Sequence, residues 1–222
     1  MVLPATSASP PVWNWLAALA ETGWAVALDV VPPALAADLA AEAAGFHAAD
    51  QLSLAGVGRA EDFTFARAIR RDKTRWLARE SVVQAAYLDV METVRLALNR
   101  SLFLGLFSYE AHYAVYEPGG FYARHLDAFK GARNRVVSTV FYLNENWARE
   151  DGGELAIFSH GEASEPVALI APELGTLAVF LSEDIPHEVR QAQRERYSIA
   201  GWFRVNDRAI APTLQAPPVP LA

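Results

Sequence analysis

Residues Tyr116 to Asp127 read YEPGGFYARHLD, and the interpretation of the whole chain starts from this stretch. It ends in a His-x-Asp pair, His125 and Asp127. Residues two apart on an extended strand point to the same face, so the imidazole and the carboxylate are expected to project side by side. His187 supplies a second imidazole in the later stretch SEDIPHEVR. Two histidines and one carboxylate predict a facial triad for a divalent iron, with coordination positions left open.

Arg196 strengthens this interpretation. It follows His187 by nine positions (196 − 187 = 9), inside the strand-like segment ERYSIAGWFR. The planar guanidinium of arginine can bind a carboxylate through two parallel hydrogen bonds, a geometry that lysine does not offer. On a strand, the residues of this parity share one face, which then carries Arg196, Ser198, Ala200 and Trp202. This mixture of polar and large groups favours a clamp for a carboxylate ligand over a surface arginine.

Three other histidines are weaker ligand candidates. His47 and His160 lie near predicted loops and are expected at the surface. His112 begins a predicted strand and is placed to line a pocket, but it has no matching partner. Two alternatives stay open for the triad itself: its members are ordinary polar residues of a barrel, or they bind another metal.

The second half of the chain is patterned for short strands. Apolar runs between turn residues predict strands near 112–117, 121–127, 135–143, 153–158, 165–171, 176–182, 186–191 and 197–205. Eight short strands that follow helices indicate a mainly β fold with a helical layer, a double-layered barrel of the jelly-roll or cupin-like kind.

The first half is predicted to supply the helical layer. Helical spacing or Ala-rich composition predicts helices over Val12–Glu21, from Pro33 to about Ala44, and over Ser81–Asn99, with Gly23 and Gly45 as stop signals. Trp24–Val31 leans towards a strand, and Gln51–Arg59 is expected to be a loop or hairpin. The predicted division is residues 1–106 as supporting helices and first strands, 107–207 as the barrel, and 208–222 as a Pro-rich tail, all in one structural unit.

Composition narrows the class of protein. The chain has 222 residues, about half of them apolar, which suits one domain with a substantial core. A formal net charge of −7 argues against a nucleic-acid partner or an anionic membrane. The absence of cysteine excludes disulfides and thiolate metal sites and suits a reducing compartment. We find no signal peptide and no apolar run approaching the roughly 20 residues needed to span a bilayer, so we expect a cytoplasmic protein.

The motifs together resemble those of the Fe(II)/2-oxoglutarate dioxygenases, and most closely the prolyl hydroxylase branch that includes the oxygen-sensing enzymes. The resemblance covers about Ile69 to Arg204 and is carried by IRRDKTRWL, YEPGGFYARHLD, STVFYLNENW, DGGELAIF, PHEV and RYSIAGWF. It implies the double-stranded β-helix fold, with which the predicted strand count agrees. It also implies Fe(II), 2-oxoglutarate and O2 as cofactor and cosubstrates, with ascorbate as a supporting reductant.

The resemblance further implies roles for individual residues. His125, Asp127 and His187 would bind the iron, and Arg196 would bind the distal carboxylate of 2-oxoglutarate. The cosubstrate pocket would also take in Tyr142, as a hydroxyl donor to that carboxylate, and Tyr116, Leu155, Val189, Ser198 and Trp202. A plain core aromatic is the alternative for Tyr142.

The prime substrate is less constrained. Asp72, Trp76 and Arg135 match family positions at the entrance where a prolyl peptide lies. Alternatively, Asp72 and Arg135 form a structural ion pair and Trp76 only packs.

The resemblance therefore implies an enzyme that hydroxylates a prolyl residue in a protein and releases succinate and CO2. Two alternatives are kept. One is hydroxylation of a free amino acid or another small molecule at the same iron centre, and the other is a catalytically silent β-barrel binding module. Intact His125, Asp127, His187 and Arg196 argue against the silent module, which has no need of all four.

Overall fold

The computed structural model describes residues 13–55, 70–128, 134–160 and 162–205. In this part of the chain the helices are α1 (Trp15–Thr22), α2 (Pro33–Ala48) and α3 (Val82–Leu102). The strands are β1 (Trp24–Ala27), β2 (Ser53–Leu54), β3 (Asp72–Trp76), β4 (Ser108–Tyr116), β5 (Tyr122–His125), β6 (Arg135–Tyr142), β7 (Leu155–Ile157), β8 (Ala168–Ile170), β9 (Leu177–Leu181), β10 (His187–Val189) and β11 (Arg196–Arg204).

Local signals explain where the helices begin and end. α1 ends at Gly23, which adopts a left-handed φ of 80° and donates its N–H to the Leu19 carbonyl. α2 begins at Pro33, where a proline costs no helical hydrogen bond. The Ser81 hydroxyl caps α3 by accepting from the Gln84 N–H at 3.3 Å. The predicted stop at Gly45 is wrong, because α2 continues past it to Ala48 and a single glycine costs a helix only about 1 kcal/mol.

Seven strands form the larger sheet, in the order β1-β9-β6-β11-β4-β3-β2. Its centre is the antiparallel pair β4 and β11, which stay in register over nine residues from Tyr116 opposite Arg196 to Ser108 opposite Arg204. One face of this sheet packs on the helices, with Tyr113, Phe141 and Ile199 in the shared core. The N-terminal part of the chain contributes three strands of this sheet as well as the helical layer.

The smaller sheet has the order β5-β10-β7-β8. It packs against the other face of the larger sheet, and a second core between them includes Tyr142, Leu155 and Phe180. Two facing antiparallel sheets with helices on one outer face make up the double-stranded β-helix expected from the sequence. All eight predicted strands are present, with ends that differ by a few residues.

Other differences from the sequence predictions are local. The strand predicted over 121–127 ends at His125, so Asp127 lies just beyond it. Asp72–Trp76, which carried no strand prediction, is β3 and pairs with β2, which lies within the predicted loop or hairpin. Residues 56–59 of that loop, and the Pro-rich tail predicted over residues 208–222, lie outside the described residues. No helix among the described residues is both long and apolar enough to cross a bilayer.

Candidate active site

Three side chains meet at one end of the β5–β10 pair in the smaller sheet. His125 ends β5, His187 begins β10, and the two are directly paired across the strands. Asp127 lies between the two rings, with Oδ1 3.5 Å from His125 Nε2 and Oδ2 3.7 Å from His187 Nε2. One ligand atom from each residue lies within 4.8 Å of the others. Two imidazoles and a carboxylate converging on one point fit a divalent iron, as the sequence predicted.

Backbone carbonyls fix the orientation of both rings. Nδ1 of His125 is 2.8 Å from the Ala123 oxygen, and Nδ1 of His187 is 3.0 Å from the Ile185 oxygen. Because a carbonyl only accepts, Nδ1 carries the proton and donates in each ring, which leaves the Nε2 lone pair for a metal. Burial lowers the pKa of His187 to about 4, so this ligand is neutral near pH 7.

Asp127 is held from its other side by hydroxyl groups. Ser138 Oγ donates to Asp127 Oδ2 at 2.6 Å and lies 2.8 Å from Ser182 Oγ. Burial by itself would raise the pKa of Asp127, but the adjacent histidines and the Ser138 hydrogen bond hold it well below the ordinary value. The carboxylate is therefore ionised when a metal arrives.

Arg196 lies deeper in the same cavity and is 1% exposed. Its Nε donates to the Gly153 carbonyl at 2.8 Å, and its Nη1 donates to Ser198 Oγ at 3.3 Å. Its Cζ lies 5.2 Å from the Tyr116 ring centre and 5.1 Å from that of Tyr142. Two aromatic rings and two fixed N–H groups therefore hold the guanidinium in one orientation.

Two polar atoms beside each other remain without a hydrogen-bond partner among the described residues, Arg196 Nη2 and the Tyr142 hydroxyl. Both are buried, and a buried polar group without a partner is costly enough to require an explanation. Burial raises the pKa of Tyr142 to about 12, so its hydroxyl keeps its proton and is able to donate. A carboxylate would satisfy both donors, which fits the distal carboxylate of 2-oxoglutarate.

Gly153 makes the close approach of Arg196 possible. Its φ of +68° is strained for other residues, and a Cβ there would lie 3.1 Å from Arg196 Cδ and 3.2 Å from Ala192 Cβ. Gly153 thus both leaves room for the arginine and accepts its hydrogen bond through the backbone carbonyl.

The mouth of the cavity is aromatic and cationic. Trp76, Trp202 and His112 form one cluster of rings: the indole centres lie 5.1 Å and 5.4 Å from the imidazole and 6.4 Å from each other. Arg135 Cζ lies 3.7 Å from the Trp202 ring centre. The imidazole of His112 is buried in the middle of β4, not at a strand start, and the two indoles are the partners that the sequence did not reveal.

The ion pair considered between Asp72 and Arg135 is wrong. Asp72 accepts from Arg70, with Nη2 2.8 Å from Oδ2. Arg135 instead donates to Glu110, with Nη2 2.8 Å from Oε1. Each charge therefore has a partner of its own, and both Asp72 and Arg135 line the cavity.

A single cavity of about 570 Å³ connects these groups. It is lined by every predicted site residue except Tyr142, which lies behind the wall next to Arg196. His47 and His160, both expected at the surface, do not line it: His160 is exposed, whereas the His47 side chain is only 15% exposed and lies 3.5 Å from Glu195.

Sequence reasoning missed several residues of the site. Tyr122 stacks on the metal-ligand ring of His125 with centres 3.6 Å apart, and Ser138 holds Asp127. Parity gave a signal for Ser138, which is on the same face of β6 as Tyr142. Neither Tyr122 nor Gly153 carried a signal beyond its place in a motif.

The fold and the site together define a class: a non-haem iron oxygenase that uses a 2-oxo acid, with the metal triad and the carboxylate clamp inside a double-stranded β-helix. Comparison with known proteins supports the same class. Residues 111–204 match the family described as the 2OG-Fe(II) oxygenase superfamily. Egl nine homolog 1 of Rattus norvegicus is 41% identical over 93 residues, which are 40% of this chain and 27% of that protein.

Solved structures extend the likeness beyond the barrel. A Pseudomonas putida prolyl-4-hydroxylase is 41% identical with a TM-score of 0.77, covering 86% of this chain and 97% of that one. A Trichoplax adhaerens prolyl hydroxylase, solved with a peptide of hypoxia inducible factor, shares the fold at a TM-score of 0.75 and 23% identity, over 89% of this chain and 90% of that one.

The chain therefore belongs to the 2OG-Fe(II) oxygenase superfamily, in its prolyl hydroxylase branch. The match spans only about a quarter of the length of Egl nine homolog 1.

Proposed function

We propose that this protein hydroxylates a prolyl residue of a protein substrate, using Fe(II), 2-oxoglutarate and O2 and releasing succinate and CO2. The observation that carries the proposal is the shape of the cavity. The triad and Arg196 occupy its interior, whereas Trp76 at its mouth is 56% exposed. An exposed indole at the rim suits a macromolecular substrate that covers the opening, because aromatic side chains dominate such contacts.

Different residues of the site would bind the iron and the cosubstrate. His125, Asp127 and His187 would hold the iron, while Arg196 and Tyr142 would hold the distal carboxylate of 2-oxoglutarate. Iron and 2-oxoglutarate, once bound, supply the oxidation that replaces a C–H bond of the substrate by C–OH. The apolar side chains of Leu155 and Val189 line the cavity and keep water away from the reacting groups.

The polar groups of the site would keep their protonation states throughout. The Nδ1 protons of His125 and His187 stay on the hydrogen bonds to backbone carbonyls, so Nε2 of each ring faces the metal position. The Ser138 proton stays directed at Asp127, which remains a carboxylate. The protein thus supplies positions and a fixed charge distribution, not a titrating acid or base.

Neither alternative drawn from the sequence is favoured. A silent binding module does not explain a fully formed triad together with a carboxylate clamp. Hydroxylation of a free small molecule is not favoured by the likeness to prolyl hydroxylases or by the open, aromatic mouth.

The test is succinate formation by purified protein with Fe(II), 2-oxoglutarate and O2, alone and with proline-containing peptides or free proline. We expect slow succinate release without substrate, stimulation by some peptides, a mass gain of one oxygen on the proline, and no activity in His187→Ala. Thermal unfolding of the metal-free His187→Ala variant controls for its folding. Stimulation by free proline alone would contradict a protein substrate. Absence of succinate, together with absence of 2-oxoglutarate binding to the Mn(II)-loaded protein, would contradict the oxygenase itself.

Two further points are proposals from the sequence. We propose a cytoplasmic location, supported by the absence of cysteine, which fractionation and immunodetection would test. We also propose that ascorbate sustains turnover by keeping the iron reduced, as the family resemblance suggests. Progress curves of succinate formation with and without ascorbate would test this, and identical curves would contradict it.

A further inference from the structure

Two arginines face each other across β11 and β6, and one of them, Arg135, lines the cavity. Arg204, which is 3% exposed, lies directly opposite Arg135 in the pairing of β11 with β6. An irregularity of the ladder between Phe203 and Arg204 produces this register, since Phe203 pairs with Val137. Like charges directly opposite each other destabilise a sheet, so the pair requires a counter-charge.

Glu110 supplies that counter-charge from β4, on the other side of β11. Its Oε1 accepts from Arg135 Nε at 3.0 Å and Nη2 at 2.8 Å, and its Oε2 accepts from Arg204 Nη1 at 2.5 Å. One carboxylate thus holds two guanidinium groups. The bond to the buried Arg204 fixes the carboxylate, and the two bonds to Arg135 fix the plane of the second guanidinium.

The orientation of that plane matters for the cavity. Arg135 stacks on the indole of Trp202, which is 7% exposed, with Cζ 3.7 Å from the ring centre. Both side chains line the cavity. Among the described residues, no hydrogen bond is made by Arg135 Nη1, and Trp202 Nε1 has no partner either. The N–H groups of Arg135 Nη1, on the side of the guanidinium away from Glu110, are therefore left for a ligand at the mouth, whereas Trp202 Nε1 is itself buried.

We infer that Glu110 is a positioning residue for the prime substrate, holding Arg135 flat on Trp202 so that a peptide meets a preformed platform with free N–H donors. The inference rests on the proposed function. The group that this platform would recognise is a carbonyl or carboxylate oxygen of the peptide near the reacting proline. Glu110 itself does not line the cavity and acts only through Arg135.

The test is Glu110→Gln, assayed with the short single-proline peptide that best stimulates the wild type. We expect the KM for the peptide to rise by about five- to tenfold, as for the loss of one well-oriented hydrogen bond. The kcat at saturating peptide, the KM for 2-oxoglutarate and the peptide-independent succinate rate are expected to stay within about twofold. Glu92→Gln is the matched control, because Glu92 pairs with Arg95 on α3, away from the cavity, at 2.6 Å.

A double-mutant cycle separates positioning from a general loss of structure. In an Arg135→Met background, Glu110→Gln should raise the peptide KM no further, since its only route to the substrate is gone. Additive increases would overturn the inference. Should Glu110→Gln fail to fold because Arg204 loses its counter-charge, Glu110→Asp keeps that charge but is too short to hold both arginines, and an unchanged peptide KM in this variant would overturn the inference as well.

The two proposals fail in different ways. If no prolyl peptide stimulates the wild type, the proposed function is refuted and the inference falls with it. If peptides stimulate the wild type and the peptide KM is unchanged in a folded Glu110→Gln variant, the inference alone is refuted.

Discussion

The Tyr142 hydroxyl allows a prediction in which ligand binding and stability change in opposite directions. We expect Tyr142→Phe to weaken 2-oxoglutarate binding, because the hydroxyl and Arg196 Nη2 are adjacent buried donors without a partner in the described structure. A hydrogen bond to a charged group contributes about 1.5–3 kcal/mol, so the dissociation constant should rise roughly 10- to 150-fold. The keto-acid end would still reach the metal.

The same substitution should leave the ligand-free protein at least as stable. No hydrogen bond among the described residues is lost with the hydroxyl. Removing an unpaired buried polar group is neutral or stabilising, by up to about 1–3 kcal/mol. Tyr87→Phe is the matched control, because Tyr87 is equally buried but its hydroxyl lies 3.4 Å from that of Tyr109. That variant should lose about 1 kcal/mol and bind 2-oxoglutarate normally.

Two measurements decide the matter: calorimetric titration of 2-oxoglutarate into Mn(II)-loaded protein, and urea unfolding of the metal-free protein. The reasoning is refuted if Tyr142→Phe binds 2-oxoglutarate within twofold of the wild type. It is also refuted if the ligand-free variant loses as much stability as Tyr87→Phe, since the hydroxyl would then have a structural partner.

Three further predictions concern the rest of the site. Ser138→Ala removes the hydrogen bond to Asp127 and should weaken Mn(II) binding about 10-fold or more in a metal titration, and equal affinity would contradict this. Gly153→Ala places a Cβ at a φ of +68° and 3.1 Å from Arg196 Cδ. The free energy of unfolding in urea should therefore fall by about 1–3 kcal/mol, and 2-oxoglutarate binding should weaken. Wild-type values for both measurements would contradict this prediction. Burial, reinforced by nearby cations, lowers the pKa of His112 from 6.5 to about 4, so the folded state disfavours its protonation. This lowered pKa stabilises the folded protein by up to about 3 kcal/mol, and the stabilisation is complete above pH 6.5 and is lost as the pH falls towards 4. Between these pH values, the free energy of unfolding in urea should therefore depend less steeply on pH in His112→Gln than in the wild type. Identical slopes would contradict the assignment.

Much of the fold could be predicted because the strands obey simple patterns. The eight strands of the barrel are short apolar runs between turn residues, and α3 has a regular apolar stripe with a serine cap. β3 was missed because its sequence, DKTRW, is almost wholly polar, and it joins the sheet through backbone pairing with β4. Its polar side chains are explained by the cavity that it borders, and the cavity is not visible in the sequence.

The site residues likewise divide into those that sequence spacing predicts and those whose contacts appear only in the folded structure. Spacing and residue type were enough to select His125, His187 and Arg196. The placement of Asp127 was explained by strand geometry, whereas in the structure it follows the strand and is held by Ser138. Contacts made across strands, such as that of Glu110 with its two arginines, depend on registers that one sequence does not specify.

The long ladder between β4 and β11 has a consequence for how such an enzyme can diversify. Arg196 and Trp202 belong to the same strand, six residues apart (202 − 196 = 6), which at about 3.3 Å per residue separates them by roughly 20 Å. The strand therefore places Arg196, which would bind 2-oxoglutarate, at one end of the cavity and Trp202, where we propose that the peptide binds, at the other. Substitutions at the two ends should combine additively, so substrate preference can drift while the oxidative machinery is inherited intact. A one-residue insertion between them would turn one end away from the cavity and end both functions together.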